Sequence, residues 1–157
     1  MTQPDWKPLQ SGIVVLARPA ALWTRAVDYV AGVRKLKITV ATGLVWTAVA
    51  GANVGADGDP GLPQNPNAPP LLPSALIGAL IGKIGGSAAD NTAPVVTIPG
   101  SPATAGTGVP TPFSVGSFCI IELTAGQKGS LFLTMNDAPA AFGGHTGQLT
   151  VDLYEAL

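Results

Sequence analysis

Two runs of alternating apolar residues near the C-terminus constrain the fold of this 157-residue chain more than any other feature. In the first run Leu131, Leu133 and Met135 share one face, and in the second run, residues 149–153, every other residue is apolar. A period of two is typical of a β-strand with one buried face. The runs flank a polar segment, residues 136–147, so residues 129–153 are predicted to form a β-hairpin with a long loop at its tip.

The composition of the chain predicts one all-β domain over residues 1–157. Glycine occurs 20 times and proline 15 times, while only 11% of the residues are charged. Short apolar runs separated by turn residues favour strands, and about eight such runs predict a jelly-roll-like antiparallel β-sandwich. Residues 1–10 are interpreted as a polar tail, and residues 51–73 and 86–112 as long Pro/Gly-rich loops.

Residues 34–40, RKLKITV, predict an edge strand, because Lys35 and Lys37 alternate with apolar residues and exposed lysines protect sheet edges. Together with Arg34 the lysines could instead form a patch for an anionic ligand. Residues 20–33 fit a helical period and a strand almost equally well, and we favour a strand because the segment lacks capping residues.

The glycines at GxxxG spacing, Gly78 and Gly82, predict a tightly packed strand within residues 75–85. Glycine in a strand allows a neighbouring backbone or an aromatic ring to approach closely. The same spacing has a meaning in membrane helices, but Pro73 interrupts the apolar window of residues 71–81, which is shorter than the roughly 20 residues of a span. We therefore expect a protein that does not span a membrane.

Charge and termini restrict the partners and the compartment of the protein. A formal net charge of −1 argues against nucleic acid, which requires a basic surface. The low charge content favours a homo-oligomer or a subunit of a larger complex. The polar N-terminus does not resemble a signal peptide, so we expect cytoplasmic synthesis, with later export still compatible.

The chemistry-bearing residues predict a protein that is not an enzyme. The single histidine, the single cysteine and the carboxylates form no recognisable catalytic arrangement. Cys119 lies in an apolar run and is interpreted as a buried small hydrophobic residue. Asp57 and Asp59 alternate as in calcium loops, but the remaining oxygen ligands of such a loop are missing, which favours a solvated turn.

Several motifs, taken in order, resemble the Pseudomonas-type calcium-dependent galactophilic lectin family. They are GADGD at residues 55–59, LPSALIGALIGKIG at 72–85, FSVG at 113–116 and the segment GSLFLTMNDAPAAFGGHTGQLTVDL at 129–153. An upstream element, VDYVAGVRKLKITVATGLVW at 27–46, is similar as well, and residues 86–112 stand as an insertion. The resemblance implies a galactose-binding-domain-like β-sandwich that binds terminal galactose through calcium at the tip of the last hairpin.

The resemblance also implies which residues would form that site. Asp137 matches the bidentate aspartate ligand, and Ala141 lies where the family offers a backbone carbonyl. Gly144 and His145 stand where the family has two asparagine ligands. Glycine supplies no side-chain oxygen and imidazole is a poor ligand for calcium, so the resemblance implies a weakened or lost calcium dependence.

Two functions follow from the sequence as hypotheses. The first is a lectin-like module that binds a galactose-type sugar through Asp137, Asn136 and His145, with Trp46 as a stacking platform. The alternatives are that Asn136 and Asp137 cap a turn, that His145 is an exposed loop residue and that Trp46 is a core aromatic. The second function is that of a structural or accessory subunit that uses the same fold as an interaction module and binds no sugar.

Overall fold

The computed structural model describes residues 5–18, 21–30, 35–49, 52–88, 112–123 and 129–156. Within them ten strands and a short 3₁₀ helix follow one another along the chain. They are Lys7–Leu16 (β1), Thr24–Val30 (β2), Lys35–Val40 (β3), Trp46–Val49 (β4), Ala52–Val54 (β5), Leu80–Ile84 (β6), Phe113–Ser114 (β7), Phe118–Glu122 (β8), Gly129–Met135 (β9), the 3₁₀ helix Pro139–Gly144 and Thr146–Ala156 (β10). Most of the predicted insertion at residues 86–112, and Arg34, lie outside the described residues.

The strands form two antiparallel sheets, which confirms the predicted all-β sandwich. One sheet has six strands in the order β5-β4-β10-β3-β8, with β1 paired to β10. The other has four strands in the order β2-β9-β6-β7. The long strand β10 is the centre of the larger sheet because it is hydrogen-bonded to β1, β3 and β4. The jelly-roll order of connections stays a prediction.

The four-stranded sheet is buried on both faces, which gives the molecule two apolar clusters. The main cluster lies between the sheets and includes Leu131, Leu133 and Met135 of β9. The second cluster contains Ile81 of β6 and Phe132 of β9, whose side chains alternate with those of the main cluster. The other buried members of this second cluster are Trp23, Leu71, Leu72, Ala75 and Phe142 of the 3₁₀ helix. The loops therefore form a third layer over the smaller sheet.

Residues 129–153 do not form the predicted β-hairpin. The strand β9 pairs with β2 and β6 of the smaller sheet, whereas β10 pairs only with strands of the larger one. The segment between them, which we call the crossover (residues 136–145), carries the chain from one sheet to the other. The prediction was wrong because a period of two reports that a strand has one buried face and does not identify its neighbour in the sheet.

The strand β3 is also not the predicted edge strand, because it lies between β10 and β8. Lys35 and Lys37 point to the outer face of the larger sheet, opposite Leu36 and Ile38 in the core. The Lys37 ammonium lies 4.5 Å from the centre of the Tyr154 ring of β10. The alternation of lysines was therefore a signal of an outer sheet face and not of an edge.

Other local expectations are met in part. The ambiguous segment at residues 20–33 contains the strand β2, as favoured. The strand β1 begins at Lys7, inside the predicted tail, and β5 lies inside the predicted loop at residues 51–73.

Gly82 confirms the expected close approach of an aromatic ring, because a Cβ there would lie 3.0 Å from the ring of Phe113. No helix among the described residues is long and apolar enough to cross a membrane.

Gly78, just before β6, is the glycine on which we base a stability prediction. Its φ is +86° and an added Cβ would lie 2.5 Å from Cγ2 of Val54. A residue other than glycine in the left-handed conformation costs roughly 1–2 kcal/mol. The added methyl group would also overpack the core, which costs about 1–3 kcal/mol. We therefore expect Gly78→Ala to lower the free energy of unfolding by about 2–5 kcal/mol in urea titrations.

Gly55→Ala is the matched control for this variant. Gly55 has no left-handed φ, and an added Cβ there would meet no atom within 4 Å. Equal unfolding midpoints for the two variants would contradict the expectation.

Candidate functional site

The crossover begins with Asn136, which is fully buried. Both the oxygen and the nitrogen of its side-chain amide are hydrogen-bonded. Its Oδ1 accepts the backbone N–H of Leu72 at 2.8 Å. Its Nδ2 faces the carbonyl oxygens of Leu72, Ala75 and Leu76 at 2.9, 3.1 and 3.2 Å. The side chain therefore fastens residues 72–76 to the end of β9 and has no group left for a ligand.

Asp137 follows with a carboxylate that is held on both oxygens. Oδ1 accepts the backbone N–H of Ala138 at 2.7 Å, and Oδ2 lies 2.8 Å from Nε2 of His145. The Asp137 carbonyl accepts the N–H of Leu71 at 3.1 Å. An ionised carboxylate offers about four lone-pair sites, so two sites remain for further donors. The side chain is only 10% exposed.

His145 closes the crossover and is buried, contrary to the alternative that it is an exposed loop residue. The residue is 2% exposed, and the centres of the His145 and Phe142 rings are 4.5 Å apart. Nδ1 lies 3.0 Å from the carbonyl oxygen of Ala17, immediately after β1. A carbonyl oxygen only accepts, so Nδ1 carries a hydrogen. Nε2 faces Asp137, so a further proton must lie between these two side chains.

A shallow depression of about 280 Å³ opens beside Asp137. Residues of the loop at 63–68, Ile77 and residues of the crossover line it. Its lining residues are Pro63, Asn65, Ala68, Ile77, Asp137, Ala138, Ala140 and Ala141. Pro63, Asn65 and Ala140 are exposed, so the depression is open to solvent. It combines one carboxylate with mostly apolar walls, as small-molecule sites do.

The residues around Asp137 do not fit a calcium ion. Calcium takes six or more oxygen ligands, and here one carboxylate oxygen faces an imidazole while the other faces a backbone N–H. Gly144 brings no side-chain oxygen. Ala141 lines the depression, but its carbonyl alone cannot complete a shell. Among the described residues, no three His, Cys, Asp or Glu side chains are grouped for a metal.

Trp46, proposed as a stacking platform, lies in the main cluster with 1% exposure. Its Nε1–H donates to the carbonyl of Gly78 at 2.8 Å. A ring enclosed in this way presents no face on which a sugar could stack. The structure thus places Trp46 as the core aromatic of the alternative interpretation.

The aspartates of the DGD motif serve the fold. The two carboxylate oxygens of Asp57 accept the backbone N–H and the hydroxyl of Ser117, at 2.8 and 3.0 Å. Oδ1 of Asp59 accepts the N–H of Gly61, two residues on. The Asp59 contact is typical of an Asx residue in a turn, whereas the Asp57 contacts join two segments that are 60 residues apart in the chain.

Sequence reasoning missed the segments that complete the site. The Ala17 carbonyl and the loop at residues 63–68 come to the crossover from distant parts of the chain. A backbone carbonyl leaves no signal in a sequence. Residues 63–67 lie in the predicted Pro/Gly-rich loop at residues 51–73, but nothing local placed that part of the loop beside Asp137.

No family model matches the chain, and no curated protein matches it. The resemblance to galactophilic lectins therefore depends on the motifs of the chain alone.

The amide of Asn136 generates a prediction about stability. In Asn136→Asp a carboxylate oxygen would replace Nδ2 and face three carbonyl oxygens that only accept. Leaving a buried charged group without donors costs about 3 kcal/mol or more. Denaturant titration should show a loss of that size, whereas Asn67→Asp, at an exposed position of a turn, should change the midpoint little. A fully stable Asn136→Asp protein would contradict the role assigned to the amide.

Proposed function

We propose that this protein is a non-enzymatic, lectin-like β-sandwich that binds a galactose-type sugar beside Asp137 without depending on calcium. The depression of about 280 Å³ is the observation that carries the proposal. Its volume is near the lower end of the about 300–1,000 Å³ typical of small-molecule pockets. A site of this size favours a single sugar ring over a long oligosaccharide.

The lining of the depression matches the two kinds of surface on a sugar. The remaining lone-pair sites of the Asp137 carboxyl group can accept sugar hydroxyl groups. Asn65 also lines the depression; its Oδ1 accepts the backbone N–H of Asn67 at 2.9 Å, so its amide nitrogen is the group that can donate to a sugar. Pro63, Ala68 and Ile77 supply apolar contacts for the C–H face of the ring. Recognition in this form requires no metal.

The hydrogen-bond partners of His145 and the raised pKa of Cys119 favour a binding function over catalysis. Both ring nitrogens of His145 already face buried partners, so the ring is not placed to exchange protons with a ligand. Burial raises the pKa of the Cys119 thiol above its ordinary value. Because the thiolate is the reactive form, this shift disfavours a nucleophilic role.

A variant that fills the depression tests the sugar proposal. We expect the wild-type protein to bind galactosides in calorimetry equally well in calcium and in a chelator. Ala140→Trp should reduce the affinity at least tenfold, because the exposed Ala140 lines the depression and an indole would occupy its volume.

Lys7→Trp is the control. Lys7 is exposed and lies at the opposite end of the ten-residue strand β1 from Ala17, the residue that contacts His145. This variant should bind as the wild type does. The sugar proposal fails if the folded wild type binds no galactoside, or if Ala140→Trp binds as well as Lys7→Trp.

The second candidate function is that of a structural or accessory subunit, and a specific surface favours it. Phe118 and Ile120 project from β8 with exposures of 58% and 49%. In the described part of the chain, β8 pairs only with β3, so its other side is an edge of the larger sheet. Exposed apolar side chains on an edge strand favour association with another chain.

Association through β8 predicts a defined oligomer in sedimentation. Ile120→Lys should shift the mass towards the monomer, because a charge at the centre of the strand opposes both apolar contact and strand pairing. Val45→Lys changes a residue of similar exposure, 52%, outside the strands and should leave the mass unchanged. A wild-type protein that stays monomeric at high concentration would exclude this function for β8.

A further inference from the structure

The contacts of His145 join the two ends of the crossover to each other and to the residue that follows β1. Nε2 lies 2.8 Å from Oδ2 of Asp137 at the start of the crossover, and Nδ1 lies 3.0 Å from the carbonyl of Ala17 after β1. The side chain of His145 is fully buried and that of Asp137 is 10% exposed. The buried hydrogen bonds from Asp137 to His145 and from His145 to Ala17 therefore connect the crossover to the end of β1 in the larger sheet.

The number of hydrogens in this series of hydrogen bonds determines the charges of the Asp137 and His145 side chains. Nδ1 must donate to Ala17, because a carbonyl oxygen cannot. The short contact between Nε2 and Oδ2 then also requires a hydrogen, carried either by the imidazole or by the carboxyl group. In the first form a cation faces an anion, and in the second both groups are uncharged. In both forms Oδ2 is already paired with the imidazole and is not free for an external cation.

We propose that the His145 imidazole is the internal partner that takes the place of a metal ion beside Asp137. A calcium ion at the Asp137 carboxylate would have to displace the ring from Oδ2. Displacement would also separate Nδ1 from Ala17 and leave buried polar groups unpaired, which is costly. His145 is thus a positioning residue: it orients the Asp137 carboxylate and holds the crossover against β1 without metal.

The pairing of His145 with Asp137 belongs to the proposed site but does not depend on whether a sugar binds there. It concerns the contacts inside the crossover, and neither of its two readouts uses a sugar. Failure to bind galactosides would therefore overturn the proposed function and leave this inference standing. A direct response of the crossover to calcium would overturn this inference and leave sugar binding open.

The first experiment uses the single histidine of the chain, which makes its NMR signals unambiguous. In the folded wild-type protein we expect an Nδ1–H signal that exchanges slowly with solvent, because the hydrogen is buried against Ala17. The ring signals should be the same in millimolar calcium and in chelator. Rapid exchange of that hydrogen overturns the inference. A calcium-dependent shift that disappears in Asp137→Asn also overturns it.

The second experiment is a double-mutant cycle with Asp137→Asn, His145→Gln and the combined variant, each measured by denaturant unfolding. If the two side chains act as one unit, the unfolding equilibrium constants should depart from independence by about tenfold. Independent effects of the two substitutions would overturn the inference. Should a variant fail to fold, the NMR measurement on the wild type still decides between the outcomes.

Discussion

The hydrogen bonding of one buried amide, that of Asn136, is the interaction on which the rest of the structure depends. A buried amide must find partners for its oxygen and its nitrogen, and here all of them belong to the backbone of residues 72–76. This requirement fixes a loop as a third layer over the smaller sheet and so covers the second apolar cluster. It also sets the point at which the chain leaves β9 and turns towards the larger sheet.

The candidate site is a consequence of that turn. Once Asn136 is fixed, Asp137 is directed towards the space between the crossover and the loop at residues 63–68. His145 then closes the crossover on Asp137 from within, and Ala17 orients the imidazole. The carboxylate is thereby rigid and partnered, yet it keeps two lone-pair sites. A rigid acceptor in a mostly apolar depression suits a neutral polar ligand better than a cation.

The two candidate functions use separate parts of the molecule. The depression depends on the connection between the sheets, whereas the exposed side chains of Phe118 and Ile120 lie on a terminal strand of the larger sheet. An assembly formed through β8 could therefore present the depressions of several copies at once. Multivalent display of this kind raises the apparent affinity of weak individual sites. A sugar-binding function and an assembly function are compatible in this fold.

Local patterns in the sequence identified one buried face of β9 and the residues that carry polar chemistry, but the opposite face of β9 is buried as well. Alternation placed Leu131, Leu133 and Met135 in the core, and composition predicted a sandwich of short strands. The partners of β9, the internal position of β3 and the burial of Trp46 were decided only by the tertiary structure. Periodicity describes one strand and its two faces, whereas pairing and enclosure depend on contacts between residues far apart in the chain. For the same reason the sequence identified Asp137 and His145, but only the fold joined them to each other and to Ala17.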